Sequence, residues 1–514
     1  MKTLGELVER NARFFGDDVC LVYGERRFTN REHVDRARRL AAALHDAGCR
    51  RQDRVAILAM NTFEYVEVFS ACWLAGYIVS TVNFRLALPE FRYVLGDTEP
   101  RVLIFEAQYA EAVAGLRADL PGIETYVCIG EPPAWATGYE DFLAAVSPDG
   151  PSIRAEAGDI AHIIYTSGTT GRPKGVMRSH ACELALAESM ACVMDVRPGG
   201  RMLEVMPFFH AGAQSSALGQ MWRGGEVHIH RAFDPAAVLA AVQAERITHL
   251  HLVPLMVQAL VELPQFETFD LSSVETILYA AAPMPIPVLS RALAKFGPVF
   301  VNSWGMTEGS GTCLPKHMHT TEGPGAALLG SIGQAYQKTQ VRIVDEAGAD
   351  CPPGTSGEIW IRSEAMMTGY WNNTAATVET LRDGWLRTGD MGYFDEAERV
   401  FLVDRKKDMI ISGGENIYSQ EVERALAGHP AVSQVAVIGQ PDEKWGEAVK
   451  AIVIRAPDAN VDADELIAFC ATRIASYKKP KSVEFVSEFP VLPSGKVNKV
   501  RLRELYARRP APTA

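Results

Sequence analysis

The chain has no surplus of basic residues: Lys+Arg total 51 against 63 Asp+Glu, a formal net charge of −12. That balance argues against a nucleic-acid or anionic-membrane binder, since such partners draw affinity from excess cationic charge. There is no Cys-x-x-Cys pair, and the nine cysteines are an odd, scattered set. Reduced structural thiols in a cytoplasmic setting are therefore expected, not a disulfide frame or a zinc site. No apolar run is long enough for a transmembrane segment. The longest nearly apolar stretch, 68–82, contains Ser70, Gly76, Ser80 and Thr81 and falls short of the ~18–20 residues a span needs; it reads as a buried helix running into a strand. The opening segment is helical and charged, without the apolar core or small-residue cleavage site of a secretory signal. The closing Pro-Thr-Ala is neither a peroxisomal address nor a prenylation box.

Hydrophobic residues make up 47% and charged residues 22%, which excludes a disordered or collagen-like chain. A length of 514 residues exceeds what one core of about 250–300 residues supports, so at least two domains are expected. Apolar strand-like runs at 54–60, 101–106, 125–130, 160–166, 201–206, 226–230, 248–253, 276–280 and 299–302 alternate with helical patterns, the 62–75 helix among them. This predicts an α/β fold with mostly parallel sheets. From about residue 330 the texture changes to short antiparallel strands at 340–345, 357–361 and 399–403, joined by turns such as Pro352-Pro353-Gly354. After Asp404-Arg405-Lys406-Lys407 comes a smaller unit: helix 419–427, strands 434–438 and 448–454, helix 463–476 and strand 482–486. The expected architecture is a large, multi-lobed N-terminal domain over 1–404 and a small α+β C-terminal domain over 405–514.

Directly after strand 160–164 the chain reads Tyr-Thr-Ser-Gly-Thr-Thr-Gly-Arg-Pro-Lys-Gly. Glycines permit close backbone approach to a ligand. Thr166, Ser167, Thr169 and Thr170 supply hydroxyls, Lys174 a cation, and successive backbone N–H groups an anion nest. It is not a Walker A loop, because Pro173 precedes the lysine.

This loop resembles the signature of the adenylate-forming superfamily, which includes acyl-CoA synthetases. Further stretches match in the family's order: Pro207-Phe208-Phe209-His210, Ala280-Ala281-Ala282-Pro283-Met284, Asn302-Ser303-Trp304-Gly305-Met306-Thr307-Glu308 and Thr368-Gly369-Tyr370-Trp371. They continue with Gly384-Trp385-Leu386-Arg387-Thr388-Gly389-Asp390, Asp404-Arg405-Lys406-Lys407-Asp408, Ser412-Gly413-Gly414-Glu415-Asn416 and Pro493-Ser494-Gly495-Lys496. The series covers essentially the whole chain and looks most like acyl-CoA synthetases of the fatty and aromatic acid type.

The resemblance implies an ATP-dependent carboxylic acid–CoA ligase working through acyl-AMP. Its physical problem is bringing a carboxylate to a polyanion, so catalysis should be electrostatic. By resemblance, Thr166, Ser167, Gly168, Thr169, Thr170, Gly171 and Lys174 hold the β- and γ-phosphates. Glu308 holds Mg²⁺, Thr307 meets the α-phosphate, and Lys496 reaches the reacting carboxylate and α-phosphate. Trp304 packs on adenine, beside Ser303, Gly305 and Met306. Asn302, Ala281, Ala282 and Pro283 meet the edge of the base, while Asp390 and Arg405 take the ribose. Lys407 matches the hinge about which the small domain turns for the thiol step. Coenzyme A is then met by Ser412, Gly413, Gly414, Glu415, Trp445, Tyr477 and Lys479.

His210 resembles the aromatic gate beside the acyl carboxylate. Met206, Ala211, Gly212, Gln214, Ser215, Tyr279, Ala280 and Gly305 are the implied lining: apolar or small, with no carboxylate to meet an α-amino group. A fatty or other hydrophobic acid is expected; an aryl-acid ligase, or a ligase loading a separate carrier protein, are the alternatives. Ala280-Ala281-Ala282 stands where the family commonly has glycines. The expected partners are the acid, ATP and CoA, with no nucleic acid; a homodimer stays open.

Overall fold

Every residue of helix Phe63–Ala75 is buried, in keeping with its nearly continuous apolar composition. Thr62 caps its start by accepting from the Tyr65 N–H, and Gly76 ends it in the left-handed region at φ 74. The chain then enters strand Ile78–Thr81, as 68–82 predicts. The structure, a computed structural model, describes residues 1–146, 154–166, 173–282, 284–412, 415–442, 444–491 and 496–507.

The chain divides into two units, residues 1–341 with 361–386, and residues 342–360 with 387–514. The first unit contains a nine-stranded and an eight-stranded sheet. In the nine-stranded sheet, strands Phe300–Met306, Thr276–Tyr279, His249–Leu252, Arg201–Glu204, Glu226–Ile229 and Val19–Tyr23 run parallel in that order. Antiparallel strands Gly309–Leu314 and Arg26–Thr29 extend it on either side. In the other sheet, Ile160–Thr166, Ile78–Thr81, Arg54–Leu58, Val102–Glu106 and Thr125–Ile129 are parallel. Strand Lys174–Ser179 returns antiparallel to Ile160–Thr166.

One buried cluster joins side chains of both sheets with helices Leu4–Phe14, Asn30–Asp46 and Phe63–Ala75. Large residues such as Trp73, Phe69 and Phe63 each contribute about 1.5–3 kcal/mol by leaving water. The parallel sheets follow the expectation; the antiparallel strand 174–179 was not foreseen, because its pattern Lys-Gly-Val-Met-Arg-Ser hides a fully buried Arg178.

In the second unit, the antiparallel pairing of residues 390–394 with 400–405 sets Asp390 opposite Arg405. A further sheet pairs Val432–Asp442, Gly446–Arg455 and Ser482–Phe485 around its own core of Val422, Leu426, Val437, Val449 and Leu466. Helix 463–476 is a correction: it stops at Ala471, and a single 3-10 turn follows at Ser476–Lys478. The Thr472 hydroxyl donates to the Phe469 carbonyl at 2.7 Å, occupying an acceptor that a continued helix would use. All nine cysteines are free. Among the described residues, no helix is long and apolar enough to cross a membrane.

Candidate active site

The residues that flank the expected phosphate loop belong to two antiparallel strands: Thr166 pairs with Lys174, and Ile164 with Val176. Ser167, Gly168, Thr169, Thr170 and Gly171 lie outside the described residues, as does Pro283. The rim is held firmly: the Trp371 N–H donates to the Gly175 carbonyl at 2.7 Å, and the Tyr93 hydroxyl to the Pro173 carbonyl at 3.1 Å. Gly175 has no room for a side chain, since a Cβ would sit 2.9 Å from Ile163 Cγ2 and 3.1 Å from the Tyr165 ring.

Lys174 Nζ stands 4.9 Å from the centroid of the Tyr370 ring. The hydroxyl of that tyrosine donates to Glu308 Oε1 at 2.8 Å. Tyr370 therefore brings together the loop cation and the expected metal-binding carboxylate, far apart in sequence. Glu308 and Thr307 form the two-residue turn between strands whose last pair is Met306 and Gly309. Two further bonds hold this turn: the Met367 N–H to the Glu308 carbonyl at 2.7 Å, and Arg178 Nη1 to the Thr307 carbonyl at 2.8 Å. Arg178 belongs to a buried relay. Its Nε donates to Glu183 Oε1 at 2.7 Å, and Glu183 lies 3.0 Å from His162 Nδ1. The Trp73 indole donates to His162 Nε2 at 2.8 Å, which leaves the ring proton on Nδ1, directed at Glu183. Burial opposes the charge on Glu183, but the Arg178 guanidinium and His162 outweigh it and hold its pKa down to about 2.

Asn302 and Trp304 share one face of strand Phe300–Met306. Asn302 donates to the Tyr279 carbonyl at 3.1 Å, and its buried Oδ1 has no hydrogen-bond partner among the described residues. Such an acceptor suits the exocyclic amine of a nucleobase. Trp304 is 8% exposed; its ring lies where a Cβ on Gly311 would come within 2.5 Å, so the chain itself covers much of the indole. Ser303 bonds the Tyr336 hydroxyl. Gly305 is exposed and Met306 half-buried. Ala281 and Ala282 are exposed, and Ala281 has φ 72, a left-handed conformation that favours glycine.

On the acyl side, Asn61 clamps the approach to His210 by donating to the Met206 carbonyl and accepting from the Phe208 N–H, both at 2.9 Å. His210 is half-buried at the N-terminus of helix Ala211–Trp222, with its ring 4.2 Å from that of Phe209. Gln214 donates to the Phe208 carbonyl at 2.8 Å. Ala211, Gly212 and Ala280 are half-buried, Met206 and Ser215 buried. The Tyr279 hydroxyl is engaged with His319 Nε2 at 3.0 Å.

In the second unit, Arg405 Nε meets Asp390 Oδ1 at 2.5 Å. Asp404 is buried and accepts from the Arg405 N–H at 2.7 Å. Lys407 sits in the single turn Lys406–Asp408. Ser412 pairs antiparallel with Glu415; Gly413 and Gly414 are outside the described residues. Trp445 and Tyr477 are exposed large aromatics, and Lys479 is half-buried. Lys478, in contrast, is committed to Glu421 at 2.8 Å. Lys496 is exposed and directly precedes Val497, which bridges to Val491.

The AMP-binding enzyme family model matches residues 8–371, and the AMP-binding enzyme C-terminal domain model matches residues 421–496. The chain belongs to the AMP-binding enzyme family. Among members of this family, a feruloyl-CoA synthase of an Amycolatopsis species is 40% identical over 98% of this chain and 99% of its own length. A long-chain-fatty-acid–CoA ligase of Mycobacterium tuberculosis is 36% identical over 92% of each chain. The structure of ATP-bound MatB from Rhodopseudomonas palustris superposes with a TM-score of 0.89 at 28% identity, covering 98% of this chain and 99% of that one.

Several buried polar residues of the first unit had no role assigned from sequence. Tyr370 lies inside a recognised motif, but nothing in its sequence setting names Glu308 as its partner. Glu204 and His251 are polar residues inside the apolar strands Arg-Met-Leu-Glu and His-Leu-His-Leu; that contrast was the available signal.

Proposed function

We propose that this AMP-binding enzyme is an ATP-dependent carboxylic acid–CoA ligase releasing AMP and pyrophosphate. A carboxylate oxygen attacks the α-phosphorus as the bond to pyrophosphate breaks; the CoA thiol then attacks the acyl carbon and AMP departs. The observation that carries the reading is Tyr370, which ties Lys174 at the loop mouth to Glu308. A cation beside a hydrogen-bonded carboxylate suits a metal–triphosphate.

The residues present fit Mg²⁺. Among the described residues no cluster of three or more His, Cys, Asp or Glu could hold a metal, whereas Mg²⁺ on a nucleotide needs only one or two carboxylates besides phosphates and waters. When bound on Glu308, it would offset charge on the phosphate oxygens. Asn302 Oδ1 would accept from the base, and Thr307, whose carbonyl Arg178 holds, would meet the α-phosphate. Residues 405–514 turn about Lys407 between the two half-reactions, so that Lys496 serves adenylation and Trp445, Tyr477 and Lys479 serve CoA. The acid is hydrophobic. The similarity to a feruloyl-CoA synthase at 40% identity supports an aromatic acid, and that to a fatty-acid ligase at 36% supports an alkyl one. The enzyme acts in the cytoplasm.

A panel of aryl, arylalkenoic, medium- and long-chain acids tests this by pyrophosphate release, then by thioester formation with CoA or a pantetheinyl carrier protein side by side. Release with at least one class, followed by CoA consumption, is expected. Silence across the panel would overturn the reading.

A further inference from the structure

Beneath helix Ala211–Trp222 lies a buried polar cluster that the reading above leaves unused. Strands Arg201–Glu204 and His249–Leu252 are parallel neighbours, with Met202 opposite His249 and Leu203 opposite Leu250. One step further, Glu204 and His251 share a face, and Ser216 of the helix descends onto both. Ser216 Oγ lies 3.0 Å from Glu204 Oε2 and 3.2 Å from His251 Nδ1. All three side chains are buried: Glu204 and Ser216 at 0% exposure, His251 at 4%.

One atom of this cluster is unsatisfied. His251 Nε2 has no hydrogen-bond partner among the described residues. It lies beside Gly212, 3.9 Å from where a Cβ would stand, with the ring Cε1 at 3.1 Å. Gly212 is in the first helical turn after His210 and is half-buried. A bare backbone position next to an orphaned ring nitrogen is where a ligand group gains a hydrogen bond that the protein does not make for itself.

The cluster sets the chemistry of that bond. Burial pushes the His251 pKa down to about 4, so its ring is neutral. Burial pushes Glu204 up to about 8, against hydrogen bonds that favour its charged form, so at neutral pH it retains a proton. Glu204 Oε1 accepts from the Met206 N–H at 2.8 Å. The Ser216 hydroxyl reaches the Gly212 carbonyl at 3.0 Å and the Ala213 carbonyl at 3.1 Å as well as His251 Nδ1 at 3.2 Å, so its one hydrogen is not reserved for the imidazole. A neutral ring offers Nε2 as a donor in one tautomer and as an acceptor in the other, and a hydroxyl group answers both.

We propose that His251 is a specificity-determining residue of the acyl site: its Nε2 hydrogen-bonds a hydroxyl carried by the acyl group, so that preferred acids bear a hydroxyl besides the reacting carboxylate. This rests on reading Met206–Gly212 as a wall of the acyl site. It narrows the substrate class from hydrophobic acids in general to hydroxyl-bearing ones.

The test compares kcat/KM for pyrophosphate release on matched arylpropenoic acids, one series with a ring hydroxyl, the other with hydrogen or methyl in its place. The wild-type enzyme is expected to favour the hydroxyl-bearing acids by about tenfold or more, because a buried polar group left unpaired penalises the plain analogue. His251→Leu should abolish that preference through loss on the hydroxyl-bearing acids alone, with the plain acids kept within about threefold. His251→Gln keeps a polar group that donates and accepts and has a similar volume, and should keep a preference. Absence of preference in the wild type, an equal loss on both series in His251→Leu, or a Gln variant as indifferent as Leu would each overturn the proposal while leaving the ligase reading intact. No release from any acid would overturn the ligase reading, and this proposal with it.

Discussion

The Tyr370 hydroxyl donates to Glu308 Oε1 at 2.8 Å while its ring lies beneath Lys174. One side chain thus orients the carboxylate by a hydrogen bond and borders the ammonium by its π-face. A tyrosine is suited to both tasks, because its polar tip and apolar ring act at different places.

Tyr370→Phe separates these tasks by removing only the hydroxyl. A hydrogen bond to a charged group contributes about 1.5–3 kcal/mol. The variant should lose about 10- to 100-fold in kcat/KM for pyrophosphate release and need more Mg²⁺ for half-maximal rate. Its thermal midpoint should move little, since the ring stays packed. Unchanged kinetics and Mg²⁺ dependence would remove Tyr370 from the role of orienting Glu308.

Ala281 stores strain at the expected nucleotide edge, with φ 72 and an exposed methyl. Left-handed backbone costs an alanine about 1–2 kcal/mol, and glycine in exchange loses about 0.5–1 kcal/mol of unfolded-state entropy. Ala281→Gly should therefore stabilise the protein by roughly 0.5–1 kcal/mol in equilibrium denaturation. A net destabilisation would mean that the methyl makes contacts worth more than the strain.

The parallel sheets were legible in the sequence because each strand is a short, bounded apolar run, such as Val-Leu-Ile-Phe-Glu at Val102–Glu106. Helix Ser419–Ala427 matched to the residue, its apolar positions Val422 and Leu426 four apart. Strand Lys174–Ser179 was illegible because Arg178 is a charge made tolerable inside the protein by Glu183 on the following helix together with the Thr307 carbonyl, far away in sequence. The site divided along the same line. Motif residues such as Glu308 and Lys174 could be picked out from local pattern. Tyr370 as their common neighbour could not, because that relation exists only once strand Gly369–Tyr370 pairs with Met177 and Val176.

Glu204 makes stability depend on pH with a definite sign. Its folded pKa, pushed up by burial to about 8, lies above the ordinary 4.5. Between these values the native state keeps a proton that the unfolded chain has released, so stability falls as pH rises from about 5 to 8 and levels off above. Glu204→Gln cannot titrate and should show a slope shallower by up to about 1.4 kcal/mol per pH unit across that window. Glu64, pushed up by burial to about 7, has the same sign and is present in both proteins, so the difference between the two curves isolates Glu204. Parallel curves would show that Glu204 is ionised in the folded state.

Lys496 offers the sharpest division between the two half-reactions. It is exposed, so its truncation leaves no buried cavity and the thermal midpoint should change little. An ammonium placed between a carboxylate and the α-phosphate offsets charge only while the mixed anhydride forms; the thiol step has no such meeting of anions. Lys496→Ala should therefore lower acyl-AMP formation by about 100-fold or more, yet convert supplied acyl-AMP and CoA to thioester at nearly the wild-type rate. Measuring both rates on one preparation separates the possibilities: an equal loss in the two steps assigns Lys496 a shared structural role, and no loss in the first removes it from adenylation.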